Sequence, residues 1–236
     1  MACGLPSGAL QGVALAHGDA AGIRLPPALA PVQVVIVPVP KGGGGGAGGR
    51  AALAAEAERL RGELQAAGVR AEVDGRSCVP GAKFGSSERR GVPLRIEFDT
   101  ESVASRTCVI SKRDEPGPAA KLRDVSTEPG ALAAAVIDLL DDAQLALRWR
   151  SAAALQSEVV DVSSYWELRD AIEAGKWARG PWAGGADDEA AVLREAGAAL
   201  VCIPLEQPSS LQRGWTTCLY TGYQATEVAV FARAAP

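Results

Sequence analysis

Aromatic residues supply only 5% of the 236 positions, and alanine and glycine are plentiful in their place. That bias reflects a GC-rich genome more than a special architecture. Histidine occurs once, as His17, with no evident carboxylate to orient it, and no serine sits in a nucleophile elbow. Hydrolase chemistry therefore finds no site. The five cysteines, Cys3, Cys78, Cys108, Cys202 and Cys218, are odd in number and scattered, with no C-x-x-C pair. They read as reduced thiols of a cytoplasmic or organellar protein rather than as a disulfide framework or a redox motif. No apolar run reaches the roughly twenty residues of a membrane-spanning helix, and residues 1–15 lack the basic start of a secretory signal. No membrane partner is expected. The net charge of -4 argues against a general nucleic-acid binder, DNA included, because non-specific affinity comes from cations that neutralise phosphates.

What is present is a globular composition, 47% hydrophobic and 22% charged, in a length that suits two ordinary domains. Residues 32–39 are almost continuously apolar and β-branched between Pro31 and Pro40, the pattern of a strand buried on both faces. The glycines of 42–49 are not followed by Gly-Lys-Ser or Gly-Lys-Thr and lack ordered spacing, so they read as a flexible loop and not a phosphate cradle. Leu53, Ala57, Leu60 and Leu64 recur at helical spacing over 50–67, and Gly68 stands where a helix end wants a left-handed residue. Strands are expected at 69–73, 92–98 and 107–111, a turn at 112–118, and a long helix after Pro129 with Leu132, Val136, Leu139, Leu140, Ala143 and Leu147 on one face. Residues 30–150 thus form an α/β domain, a mixed β-sheet flanked by helices. Beyond Ser151, strands at 159–162, 200–205 and 228–232, with helices capped near Ser163 or Ser164 and over 187–196, predict a small α+β domain.

Three blocks carry a family likeness. The first runs His17-Gly18-Asp19, Leu25-Pro26-Pro27, then Ala30-Pro31-Val32-Gln33-Val34-Val35-Ile36-Val37-Pro38. The second is Asp74-Gly75-Arg76, Pro80-Gly81-Ala82-Lys83-Phe84, Glu88, and Gly91-Val92-Pro93-Leu94-Arg95-Ile96-Glu97. The third is Cys202-Ile203-Pro204-Leu205-Glu206-Gln207 with Phe231-Ala232-Arg233. Together they resemble the class II prolyl-tRNA synthetases of the eukaryote and archaeal type. The resemblance implies the end of a catalytic domain at 1–29, the class II anticodon-binding fold at 30–150 and the C-terminal domain of that family at 151–236. Too few residues precede the first block for a domain that activates an amino acid, so the chain reads as the tRNA-binding rear part of a proline–tRNA ligase, with no catalytic residues of its own. ATP and Mg would belong to the complete enzyme. A separate catalytic polypeptide of a split synthetase, or a diverged stand-alone interaction module, are the competing readings.

The resemblance also implies site residues. Proline anticodons share two guanines, and a base splayed from its loop is read by a carboxylate at N1–H and N2–H and by Arg or Lys at O6 and N7. Glu88, Arg76, Lys83 and Arg95 supply those groups on an exposed loop, and Phe84 offers a stacking face. Charge reversal of Lys83 or Arg76 is then expected to weaken binding of proline tRNA. Taken singly, Arg95 with Glu97 also reads as a plain cross-strand ion pair, and Phe84 as core. Ala82 and Ser87 stand where the family usually has aromatic residues, which thins the apolar support of the loop. In the nucleotide-binding motif His17 is retained as a remnant, at the end of a strand, but Gly8 replaces the arginine that would brace the triphosphate. The four zinc-ligand places of the C-terminal domain hold Ala183, Asp188, Cys218 and Thr221, so no zinc is expected. The fold there must rest on Trp177, Trp182, Trp215 and Phe231, with at least two of the tryptophans in the core.

Overall fold

The computed structural model describes residues 7–40, 47–115, 117, 120–209 and 216–234. The chain divides into two units, Met1–Ser151 and Ala152–Pro236.

The first unit starts with helix α1 (Ser7–His17) and a short antiparallel pair, β1 (Gly18–Asp19) with β2 (Gly22–Ile23). Then come β3 (Val34–Pro38), α2 (Ala47–Ala66), β4 (Ala71–Val73), α3 (Pro80–Arg89), β5 (Leu94–Phe98), α4 (Thr100–Ser105), β6 (Thr107–Lys112), β7 (Lys121–Ser126) and α5 (Ala131–Glu158), whose residues from Ala152 on fall in the second unit. The sheet order is β4-β3-β5-β6-β7, parallel for the first three strands and antiparallel beyond β5. The α/β expectation, a mixed sheet flanked by helices, is met. Strand alternation sorts the residues of β3 and β5 onto two faces. Val34, Ile36, Leu94 and Ile96 meet Leu53, Ala57, Leu60 and Leu64 of α2 and Leu132, Val136 and Leu140 of α5 in the main core. Each fully buried leucine is worth about 1.5–3 kcal/mol of transfer from water. The opposite face carries a smaller cluster, Val35, Val37 and Val92, with Phe84 of α3 packed against it. Gly68 ends the α2 region at φ +83, as its position after Leu64 requires.

Seven elements are not foreseen across the two units: α1, β1, β2, α3, α4, β7 and, in the second unit, the strand Trp177–Trp182. Helix α3 stands where the resemblance implies an exposed loop, and Pro80, Gly81 and Gly85 give its sequence no helical look. Pro80 in fact occupies the first turn, where its missing N–H is harmless. The residues that α3 buries are Lys83 and Ser87, so no apolar period advertises it. Helix α4 is only six residues long, with the Asp99 carboxylate accepting from Ser102 N as its cap. Strand β7 is exposed along nearly its whole length and has Asp124 at φ +55, which breaks any alternation. Helix α2 begins at Ala47, so Gly48 and Gly49 are helical and not part of the predicted loop; Gly42–Gly46 lie outside the described residues. His17 closes α1 instead of ending a strand, because the strand begins only at Gly18.

The second unit contains β8 (Val159–Asp161), α6 (Tyr165–Glu173), β9 (Trp177–Trp182), α7 (Ala186–Ala196), β10 (Ala198–Cys202) and β11 (Glu227–Arg233), in a sheet ordered β10-β11-β9-β8. Its α+β class agrees with expectation. Strand β9 was hidden by Gly180 and Pro181, although both are buried. Ser164 caps α6 by accepting from Glu167 N, the second of the two serines proposed for that role. Trp182 and Phe231 are fully buried and meet edge to face, with ring centroids 5.2 Å apart, while Trp177 is half-buried. Trp215 and Cys3 lie outside the described residues.

Candidate functional site

Register builds the site. Arg95 on β5 stands opposite Val35 on β3 and Ser111 on β6, and Ser111 stands opposite Lys121 on β7. All share the sheet face that α3 covers, so one cross-strand row presents apolar, guanidinium, hydroxyl and ammonium groups in turn. Phe84 and Glu88 lie one helical turn apart on α3 and lean onto that row. The Arg95 guanidinium sits 4.1 Å from the Phe84 ring centroid, and Lys121 Nζ 5.8 Å from it. Arg95 donates to Glu97 Oε1 at 2.8 Å and to Glu88 Oε1 at 3.2 Å, while Ser111 Oγ donates to Glu97 Oε1 at 2.8 Å and Lys121 Nζ to Glu97 Oε2 at 3.3 Å. Arg95 is 8% exposed, whereas the Glu88 side chain is 42% exposed. The arginine is therefore locked in place by Glu97, and the outer carboxylate is left open to a ligand. A cavity of about 270 Å³ opens here, with Ser87, Glu88, Arg95, Ser111 and Lys121 in its wall.

Burial pushes the Glu97 carboxyl up, but hydrogen bonds from Arg95 and Ser111 and the charges of Arg95 and Lys121 outweigh it and hold the group below its ordinary 4.5. The Arg113 hydrogen bond does the same for Asp19, and the Arg76 hydrogen bond for Asp74. On acidification the unfolded chain takes up these protons first. The stability that the three groups contribute is complete above about pH 4.5 and is lost as pH falls through their lower folded values. Urea midpoints are expected to fall only slightly between about pH 7 and pH 5, where the unfolded chain protonates His17 before the folded one, and to drop steeply below about pH 4. A midpoint that rises on acidification would contradict the network.

The five predicted site residues fall into two groups. Phe84, Glu88 and Arg95 come together as described. Arg76 and Lys83 do not join them. Lys83 is 5% exposed and donates from Nζ to the Asp74 carbonyl at 3.0 Å, so its ammonium is engaged inside the fold. Arg76 is exposed but forms a fork with Asp74, at 2.6 and 2.8 Å. Both border a different cavity, of about 680 Å³, between Pro38 and Pro40 after β3 and the segment after β4. The exposed loop of the expectation is a helix. Ser87, where an aromatic residue was missed, is buried and has Arg95 Nη1 3.5 Å from its hydroxyl, so the guanidinium uses that space. Ala82 is exposed, and a ring there would lie at the surface. Lys121 escaped the sequence reading because β7 has no apolar period, whereas Ser111 lies on a strand that the sequence does predict.

His17 is half-buried; burial first, then the charges of Arg150 and Arg24, lower its pKa and keep it neutral near pH 7. Gly8 is exposed with no neighbour near the place of a Cβ. In the second unit the places for zinc do not fit a metal. Asp188 spends a carboxylate oxygen on Gly185 N at 2.9 Å, capping α7, and Cys218 is buried with its sulfur accepting from Thr221 N at 3.5 Å. Among the described residues no three His, Cys, Asp or Glu side chains are grouped to hold an ion. Cys78, Cys108, Cys202 and Cys218 are all free thiols, and burial pushes Cys108 up to about 12.

Residues 33–119 match the family described as "Anticodon binding domain", and residues 165–234 the one described as "Prolyl-tRNA synthetase, C-terminal". The chain is 44% identical over 223 residues to the chloroplastic/mitochondrial proline–tRNA ligase of Arabidopsis thaliana, covering 94% of this chain and 40% of that protein. It is 39% identical over 222 residues to the proline–tRNA ligase of Chloroflexus aurantiacus (93% and 43%), and 34% identical over 209 residues to that of Pyrobaculum calidifontis (88% and 41%). The chain thus spans about two fifths of the length of these relatives. With an anticodon-binding domain followed by a match to the C-terminal domain of prolyl-tRNA synthetases, the chain belongs to the prolyl-tRNA synthetase family.

Proposed function

We propose that the first unit binds the anticodon loop of proline tRNA and reads a guanine in the cavity between α3 and the β5-β6-β7 face. Glu88 accepts from guanine N1–H and N2–H. Lys121 and the edge of the Arg95 guanidinium donate toward O6 and N7, and Phe84 backs the base plane. The observation that carries this reading is the cross-strand row Arg95–Ser111–Lys121 under an open carboxylate at Glu88. It sets two donors and one acceptor around a single cavity in a chain whose overall charge is -4. Affinity then comes from a local cluster. Proline transfer to tRNA would need ATP, Mg and the catalytic part of a complete ligase, whether joined to this chain or supplied as a separate polypeptide. The name of the Arabidopsis relative favours an organelle, and free thiols suit an organelle or the cytoplasm equally.

The test is fluorescence anisotropy of the 236-residue chain with a labelled proline anticodon stem-loop, beside the same loop with both shared guanines replaced by adenine. Each lost pairing is worth about 1–3 kcal/mol, so at least about 30-fold weaker binding is expected for the substituted loop. Equal affinities would remove the proposal.

Lys83→Met makes the contrast. It removes one charge-assisted hydrogen bond inside the fold, worth about 1.5–3 kcal/mol, and should lower the melting temperature while leaving the guanine-to-adenine ratio unchanged. A lost ratio with an unchanged melting temperature would restore Lys83 as a reader.

A further inference from the structure

The wall of the candidate cavity includes residues that lie outside the matched anticodon-binding stretch. Asp19 and Ala21, in the β1–β2 hairpin, line it together with Arg113. Asp19 is the centre of a dense arrangement. Its Oδ1 accepts from Ala21 N at 2.9 Å and Gly22 N at 3.0 Å, which closes the hairpin turn, and its Oδ2 accepts from Arg24 Nε at 2.9 Å. Both oxygens then take the Arg113 fork, Nη1 at 2.8 Å and Nη2 at 2.6 Å. Arg113 also donates from Nη2 to the Gly22 carbonyl at 3.2 Å and from Nε to the Glu88 carbonyl at 3.2 Å. Its side chain is only 9% exposed. One guanidinium therefore ties the hairpin to the last turn of α3 at the very residue whose carboxylate faces the ligand.

Close packing holds the hairpin in the same place. A Cβ on Gly91, which has φ +70, would lie 2.6 Å from Ile23 Cγ2, and a Cβ on Gly22 would lie 2.9 Å from Arg89 Cα. Nothing larger than hydrogen fits at either contact. The contacts fall on Arg89 and Gly91, on either side of the α3 end.

We infer that Asp19 is a positioning residue for base reading: through Arg113 it fixes the backbone at Glu88, and the hairpin completes one wall of the guanine pocket. The inference rests on the proposed function above. It also gives the segment before β3 a task in recognition rather than only in joining domains. Bidentate readout depends on angles as well as charge, so loosening the α3 end should weaken discrimination more than overall RNA affinity.

The experiment compares the wild-type 236-residue chain with Asp19→Asn, using the proline anticodon stem-loop and its adenine-substituted form, with a thermal melt of each protein. Asparagine keeps the oxygen that closes the turn but loses the charge and one acceptor of the fork. The ratio of affinities for the two loops is expected to fall about 10-fold, with binding of the substituted loop changed less than about 2-fold and its salt dependence unaltered. An unchanged ratio beside a discriminating wild type overturns the inference. A wild type that does not discriminate overturns the proposed function instead. Should Asp19→Asn fail to fold, exposed Ala21 supplies a second variant, Ala21→Trp, whose ring at the pocket wall is expected to lower affinity for the proline loop about 10-fold more than for the substituted loop. Equal effects on the two loops would place the hairpin outside the pocket and overturn the inference.

Discussion

Arg95→Ala is expected to lose at least about 30-fold in affinity for the proline anticodon stem-loop and to cost about 3 kcal/mol of folding stability. The two effects have one origin. Arg95 is the hub of the α3-facing row, bonded to Glu97 and Glu88 and stacked on Phe84. Without it, Glu97 keeps only Ser111 and Lys121 as partners in a site with little access to water. A half-compensated buried carboxylate is costly, whereas an exposed ion pair such as Arg106 with Glu128 is worth well under 1 kcal/mol. Arg95→Lys separates the roles. It keeps the charge for Glu97 but cannot make the planar fork, so stability should be largely retained while base discrimination is lost. Chemical denaturation and anisotropy on both variants check this. If Arg95→Lys binds like the wild type, the guanidinium geometry has no part in reading.

The largest expected stability effect lies in the second unit, where Phe231→Ala should cost about 3–5 kcal/mol. Phe231 is on β11, an inner strand of that sheet, and is completely buried against Trp182, Leu168 and Ile172. Deleting its ring removes the transfer energy of the side chain and leaves a cavity that the neighbouring rings cannot fill without leaving their rotamers. A unit of this size has a net stability of only several kcal/mol, and among the described residues neither a disulfide nor a fitting metal site supplements its packing. Amide hydrogen exchange across β9 and β11 should then approach that of an unfolded segment. Exchange rates within a factor of a few of the wild type would mean that the unit draws its stability from elsewhere.

The legible parts of the sequence are those where burial writes a period. The β3 run announced a strand buried on both faces, and Leu53, Ala57, Leu60 and Leu64 announced α2, because each lies at nearly zero exposure in the core. The residue types at Phe84, Glu88 and Arg95 were legible as candidates through family resemblance, and the fold brings those three together. Their setting was not legible. The residues that helix α3 buries outright are a lysine and a serine, so its pattern looks like that of a loop, and this makes Lys83 read as an exposed cation when it serves the Asp74 carbonyl. Lys121 was invisible for the opposite reason. It lies on an exposed edge strand whose place in the sheet comes from backbone pairing with β6, which leaves no trace in hydrophobicity. Arg113 and Asp19 are 94 residues apart, a pairing that only tertiary structure reveals.

The most direct measurement is a nuclear magnetic resonance titration of the isotope-labelled chain with the proline anticodon stem-loop, following backbone amides and arginine Nε–H signals. Saturable shifts should concentrate at Phe84, Glu88, Arg95, Ser111 and Lys121, with the Arg95 Nε–H among the most displaced, and should be absent with the adenine-substituted loop. Shifts confined to residues 74–79 around Arg76, or to the second unit, would contradict a guanine-reading cavity beneath α3.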